Sequence, residues 1–172
     1  MERARYLIAL GSNRRHHRHG RPSAVLAAAL AMLDREGIEV ERASPILASA
    51  PLGPSMRRYA NAAVLVRTSL APAALLARLK HIEQRFGRRR GGRRWAARVL
   101  DLDIVLWNGG IFRAPGLTIP HAAFRDRHFV LAPASGIAPA WRDPCTGLTL
   151  RHLSARLTRR QTIPIAQSRW GP

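Results

Sequence analysis

Leu100-Asp101-Leu102-Asp103-Ile104-Val105-Leu106 is the stretch on which the fold turns. Its carboxylates alternate with apolar residues, so it reads as the heart of a strand over 99–107. Leu100, Leu102 and Ile104 take the core face, and Asp101 and Asp103 share the other. Beyond it, Asn108-Gly109-Gly110 signals a turn, and Ile111-Phe112 can return as a short strand. Before it lies the Arg/Gly segment 88–98. Before that, Leu75, Leu76, Leu79 and Ile82 recur at helical spacing in a helix that Ser69 can cap, opening near Pro72 and ending near Gly87. Residues 59–68 read as a strand, Pro51-Leu52-Gly53-Pro54 as a loop and 38–48 as a strand. An Ala/Leu-rich helix over 23–36 starts after Pro22 and ends near Gly37. A polar loop over 11–21 follows an apolar strand over 4–10. The order is β-α-β-β-α-β. It predicts an α+β domain with a ferredoxin-like βαββαβ core: a mostly antiparallel sheet with helices packed on it. A shorter helix fits 127–135. Residues 1–157 are expected to form one domain, with 158–172 a loosely attached tail.

The 172 residues and 47% hydrophobic content suit one globular core. No run of about 18 uninterrupted apolar residues is present, so no membrane span is expected. Tyr6 to Leu10 is too short for a signal h-region, and the expectation is a cytoplasmic protein. The single cysteine, Cys145, excludes an internal disulfide framework and a thiolate zinc site built within the chain. The formal charge is +19, from 29 Lys+Arg against 10 Asp+Glu. Lys80 is the one lysine, and the rest are Arg. Such a charge fits a nucleic-acid binder held by phosphate neutralisation. It fits equally an enzyme for a small polyanion, with surplus Arg on solvated faces.

Position separates these readings. Asp101 and Asp103 side by side repel unless a cation lies between them, and hard oxygen ligands on one face suit Mg²⁺ with substrate phosphates. Alone, the pair also fits an edge strand with two solvated carboxylates. The preceding Gly87-Arg88-Arg89-Arg90-Gly91-Gly92-Arg93-Arg94-Trp95-Ala96-Ala97-Arg98 combines flexible glycines with forked phosphate donors. Arg beside a carboxylate strand is the arrangement phosphoryl transfer uses, though a solvated basic loop has the same composition. Tyr59 and Asn61 share a strand face, where a ring and an amide suit a flat heteroaromatic ligand, though an exposed Tyr and a turn Asn at a strand start fit equally. Pro120-His121 leads to Arg125, Arg127 and Phe129. His16-His17-Arg18-His19 looks like a metal tract but has no partner ligands at useful spacing, so it reads as a solvated loop. No G-x-x-x-x-G-K-[ST] is present, which excludes a P-loop enzyme.

Taken in order, these blocks resemble the 6-hydroxymethyl-7,8-dihydropterin pyrophosphokinase family over about residues 5–157. The matching strings are Ala9-Leu10-Gly11-Ser12-Asn13, Pro51-Leu52-Gly53-Pro54, Tyr59-Ala60-Asn61-Ala62-Ala63, Glu83, Gly87-Arg88, Arg94-Trp95-Ala96-Ala97-Arg98-Val99-Leu100-Asp101-Leu102-Asp103-Ile104, and Leu117-Thr118-Ile119-Pro120-His121 with Arg127 and Phe129. The resemblance implies transfer of the β,γ-diphosphoryl group of ATP to the pterin hydroxymethyl oxygen, releasing AMP, in folate biosynthesis. It implies that Asp101 and Asp103 hold two Mg²⁺ ions. Arg88 and Arg98 would act on the phosphates as catalytic groups, and His121, Arg127 and Glu83 would belong to the ATP side, Glu83 in a supporting shell. Tyr59 and Phe129 would sandwich the pterin, with Asn61 on its edge, Trp95 closing over it and Leu52 and Gly53 in the pterin-side loop. The segments at about 11–21, 51–58 and 88–98 would be mobile active-site loops. Partners would be the two small substrates, with no nucleic acid and no membrane, and a monomer suffices. The chain departs from the family's usual residues at Ala96-Ala97, Lys80 and Ala122.

Overall fold

The computed structural model describes residues 3–49, 59–87 and 99–162. Its elements run β1 (Ala4–Ser12), α1 (Pro22–Arg35), β2 (Glu39–Ala43), β3 (Leu47–Ser49), β4 (Tyr59–Thr68), α2 (Pro72–Arg85), β5 (Asp101–Trp107), β6 (Phe112–Ala114), β7 (Leu117–Ile119), a 3-10 turn (Phe124–Asp126), α3 (His128–Ile137) and α4 (Leu150–Thr162). The main sheet has the order β2-β4-β1-β5, with β3 also against β4, and every pairing is antiparallel. Helical crossovers β1-α1-β2 and β4-α2-β5 over this order give the ferredoxin-like fold expected from the sequence. β6 and β7 form a separate hairpin.

Local chemistry sets the helix ends. Pro22 and Pro72 occupy the first turns of α1 and α2, where a missing N–H costs nothing. α1 ends in a Schellman arrangement: Ile38 N–H bonds the Leu33 carbonyl at 3.0 Å and Gly37 N–H that of Asp34 at 3.1 Å. The positive φ of 77° at Gly37 is what requires glycine there.

The sheet is covered on both faces. Tyr6, Ile8, Leu10, Val64, Val66, Leu102 and Ile104 face α1 and α2 in the first core. Leu7, Ala63, Val105 and Leu106 face α3 and α4, which bury Leu131, Ala134, Leu150, Leu153 and Leu157 in the second. Val105 and Leu106 enter the same core because the β1–β5 register slips between Leu7 and Ile8. That bulge inserts one residue in β5 and breaks the alternation.

Four features differ from expectation. The strand expected over 38–48 divides into β2 and β3. β1 continues to Ser12, into the expected loop. The helix over 127–135 extends to Ile137 despite Pro133. β7 and α4 were not anticipated: residues 158–162 continue a helix whose Leu150, Leu153 and Leu157 are buried. Among the described residues, no helix is long and apolar enough to cross a membrane.

Candidate functional site

Strand register assembles the site. Asn61 on β4 lies opposite Gly11 on β1, and Gly11 lies opposite Asp101 on β5. One row deeper, Ala63, Ala9 and Asp103 align in the same way. Residues directly opposite in an antiparallel ladder share a face, so Asn61, Asp101 and Asp103 emerge together, on the side of the second core. The middle strand carries small residues in this row, and a Cβ at Gly11 would make ordinary contact with Asn61 Oδ1, at 3.7 Å. Tyr59, one alternation before Asn61, stands on the same face, and Leu47 of β3 lies opposite Asn61 with 40% of its surface exposed.

The same register explains why α3 leaves this end of the sheet, where Asn61 is buried and Asp101 and Asp103 are part-exposed. The chain joins β5 where His121 N–H bonds the Val105 carbonyl at 3.0 Å, at the bulge. α3 then crosses the sheet and finishes where Arg42 of β2 donates to the Ile137 carbonyl. The helix therefore roofs Leu7, Ala63 and Val105, and Asp101 and Asp103 remain half-exposed beyond it.

Asp101 and Asp103 are two residues apart, so their Cα atoms are about 7 Å apart. Two carboxylates at that separation repel by roughly 0.6 kcal/mol in bulk water and about 2.4 kcal/mol at an effective dielectric of 20. A cation offsets this. The donor set of Asp101 and Asp103 is oxygen only. This fits Mg²⁺, which takes one or two carboxylates and completes its octahedron from water and phosphate oxygens.

Glu83 of α2 is fully buried on the opposite face, against the first core. Its Oε1 accepts from Lys80 Nζ at 2.8 Å and from the Leu102 amide at 2.8 Å. It thus holds the backbone between the two aspartates, which makes it a positioning group.

His121 follows a cis Ile119–Pro120 bond. Its Nδ1 accepts the Ala123 amide at 3.2 Å, so in the neutral ring the proton belongs to Nε2, which is left to donate. Arg127 precedes α3, its guanidinium 5.8 Å from the Phe129 ring centroid, and Phe129 packs at the margin of the second core. Arg125, between His121 and Arg127 in sequence, binds Asp143 in bidentate fashion at 2.8 and 2.7 Å. Asp143 is fully buried and also takes bonds from Thr146 Oγ1 and the Cys145 amide. Sequence reasoning missed this latch. Its only signal was one acid among many arginines near a turn. Leu52, Gly53, Arg88, Trp95 and Arg98 lie outside the described residues.

The His16 tract holds no metal-sized cluster among the described residues. His16 is instead buried, its ring 5.9 Å from Phe86 and its Nδ1 accepting the Arg18 and His19 amides. Burial, then the neighbouring charges of His17, His19 and Arg18, hold its pKa below the usual imidazole range.

The model of the 7,8-dihydro-6-hydroxymethylpterin-pyrophosphokinase family matches residues 7–139. A 2-amino-4-hydroxy-6-hydroxymethyldihydropteridine pyrophosphokinase of Synechocystis sp. is 42% identical over 76% of this chain and 66% of its own length. One of Pseudomonas aeruginosa is 38% identical over 81% and 84%. Among solved structures, wild-type HPPK-DHPS of Plasmodium falciparum superposes with a TM-score of 0.72 at 13% identity. It is covered over 44% of its chain, against 93% of this one, and that likeness speaks for the fold alone.

Proposed function

The chain belongs to the 7,8-dihydro-6-hydroxymethylpterin-pyrophosphokinase family, and from that premise we propose that it transfers the β,γ-diphosphoryl group of ATP to 6-hydroxymethyl-7,8-dihydropterin, releasing AMP, in folate biosynthesis. The hydroxymethyl oxygen attacks the β-phosphorus, the bond from that phosphorus to the α-phosphate oxygen breaks with its electrons going to AMP, and the hydroxyl proton leaves to solvent. The observation that carries this reading is the row Asn61–Gly11–Asp101. It sets an amide suited to a heterocycle's edge two strand spacings, about 10 Å, from a carboxylate suited to a cation. One ligand pair spans that row, with the ring at β4 and the phosphates at β5.

Asp101 and Asp103 would hold two Mg²⁺ ions, which when bound neutralise the triphosphate and polarise its oxygens. His121 Nε2–H and Arg127 donate to phosphate oxygens, as do Arg88 and Arg98, whose charge is the more useful as the transition state spreads negative charge over the transferring group. Tyr59 and Phe129 orient the ring, Asn61 reads its edge, Leu52 and Gly53 flank it and Trp95 closes the site, so that the hydroxymethyl oxygen is held in line. No covalent nucleophile takes part.

We place the protein in the cytoplasm as a monomer acting on small molecules. Ferredoxin-like modules that bind RNA stack bases on an open sheet. Here α1 and α2 cover one face and α3 and α4 pack on the other, and the row beyond α3 carries two carboxylates, which repel a phosphate backbone. The test mixes protein, ATP, Mg²⁺ and the pterin, and follows AMP and pterin diphosphate. Wild type is expected to release both in equal amounts, and Asp101→Ala with Asp103→Ala to release neither. AMP from the wild type no faster than from that double variant would end the proposal.

A further inference from the structure

β5 is the last strand in the sheet order, with β1 as its one neighbour. Among the described residues its outer N–H and C=O groups have no ladder partner, and the first residues of such a strand are where a sheet frays. Those first residues are Asp101, Leu102 and Asp103. α2 meets them there. Glu83 Oε1 accepts the Leu102 amide at 2.8 Å, and Lys80 Nζ reaches both that Oε1, at 2.8 Å, and the Leu102 carbonyl, at 3.5 Å. Lys80 and Glu83 are three apart, so one helical turn supplies an acceptor and a donor to the two outward backbone groups of a single residue. The Leu102 side chain is fully buried between them and the core.

We propose that the Lys80–Glu83 pair is a backbone clip that sets the positions of Asp101 and Asp103, and through them the affinity for the metal–nucleotide complex. The inference rests on the metal-binding role given above to those two aspartates. A peptide held at residue 102 fixes the direction of the carboxylate on either side of it, because successive side chains on a strand leave the backbone on opposite faces. Both aspartates then emerge on the far face from α2, in rows with Asn61 and Ala63. On this reading neither side chain is asked to touch a ligand. Lys80 therefore acts in this chain through β5, and its ammonium is already committed to a buried carboxylate.

The test separates an acceptor role from bulk. Glu83→Gln keeps an oxygen for the Leu102 amide. Glu83→Met keeps the volume and removes it. Lys80→Met removes the donor at a half-exposed position and keeps the fold readable if Glu83→Met fails to accumulate. Three quantities are measured on the full chain. They are Mn²⁺ binding with a non-cleavable α,β-methylene ATP analogue, pterin binding without metal, and hydrogen exchange at the Leu102 amide.

Glu83→Met is expected to weaken Mn²⁺–nucleotide binding at least tenfold and to speed exchange at Leu102. Lys80→Met should weaken it about threefold, Glu83→Gln less than twofold, and pterin binding should stay unchanged in all three. Equal losses in Gln and Met variants, an equal loss of pterin binding, or wild-type Mn²⁺–nucleotide affinity in both Met variants would overturn the clip. Asp101→Asn and Asp103→Asn serve as the reference. If they lose metal–nucleotide binding and the clip variants do not, the clip alone fails. If they also bind as wild type, the metal-site reading fails and the clip with it.

Discussion

Replacing Arg125 with Met should cost far more than the loss of a surface ion pair. Asp143 is fully buried and receives bonds from Arg125 Nε at 2.8 Å, an Arg125 terminal nitrogen at 2.7 Å, Thr146 Oγ1 at 2.7 Å and the Cys145 amide at 3.2 Å. Removing one partner of a buried pair costs about 3–5 kcal/mol because the remaining charge is stranded. Two of the four bonds survive here, and the Arg125 side chain is 27% exposed, so water can replace part of it. The expected loss is therefore about 2–3 kcal/mol. For a chain of this size that is about 5–10 °C in melting temperature.

The pH dependence makes the test sharper. Burial pushes the Asp143 carboxyl up, but the bonds from Arg125, Thr146 and the Cys145 amide, with the Arg125 charge, outweigh it and hold the pKa below the usual carboxylate range. As pH falls, the unfolded chain takes up its proton first, near pH 3.9. The stabilisation is thus present above about pH 4 and is lost as pH falls through the folded value. Urea denaturation of wild type and Arg125→Met at several pH values should show a constant gap between pH 6 and 8 that narrows below about pH 4. A gap under about 0.5 kcal/mol, or one that does not change with pH, would refute the reasoning.

Gly109→Ala would drive a Cβ into the Trp107 ring, which stacks on Tyr6 and meets Phe112 edge-on; a loss of about 1–3 kcal/mol is expected from denaturant midpoints. His16 titrates below its ordinary value, so the unfolded chain is protonated first on acidification. Its contribution is present above about pH 6.5 and declines below it; a denaturation series should show that slope in wild type and not in His16→Phe. Removing residues 158–172 should change stability by under about 1 kcal/mol. Removing 150–172 strips three buried leucines at about 1.5–3 kcal/mol each and should leave no cooperative melt.

How much of this was legible in the sequence follows from how far apart the interacting residues lie. Alternation is local, so the two faces of 100–104 could be read directly, and Leu100, Leu102 and Ile104 do enter the first core. Helix starts at Pro22 and Pro72 are local too. The helix over 150–162 was not, since Leu150, Leu153 and Leu157 sit among arginines and histidine that hide a narrow apolar stripe. The bulge at Val105 was invisible because it is a property of two strands and the composition of one does not reveal it.

The acids show the same division. Asp101, Glu83 and Asp143 have one charge in the sequence and three roles in the fold, and what separates them is burial and partner. Asp101 is half-exposed beside a glycine of β1, Glu83 is sealed against a backbone amide, and Asp143 is sealed against a guanidinium. Each role depends on a partner 18 or more residues away for the sealed pair, and on cross-strand register for Asp101. Periodicity says which way a side chain points; only pairing says what it meets. The row Asn61–Gly11–Asp101 joins three strands that the sequence places fifty and ninety residues apart, and a ligand that bridges them reads a relation that no single segment carries.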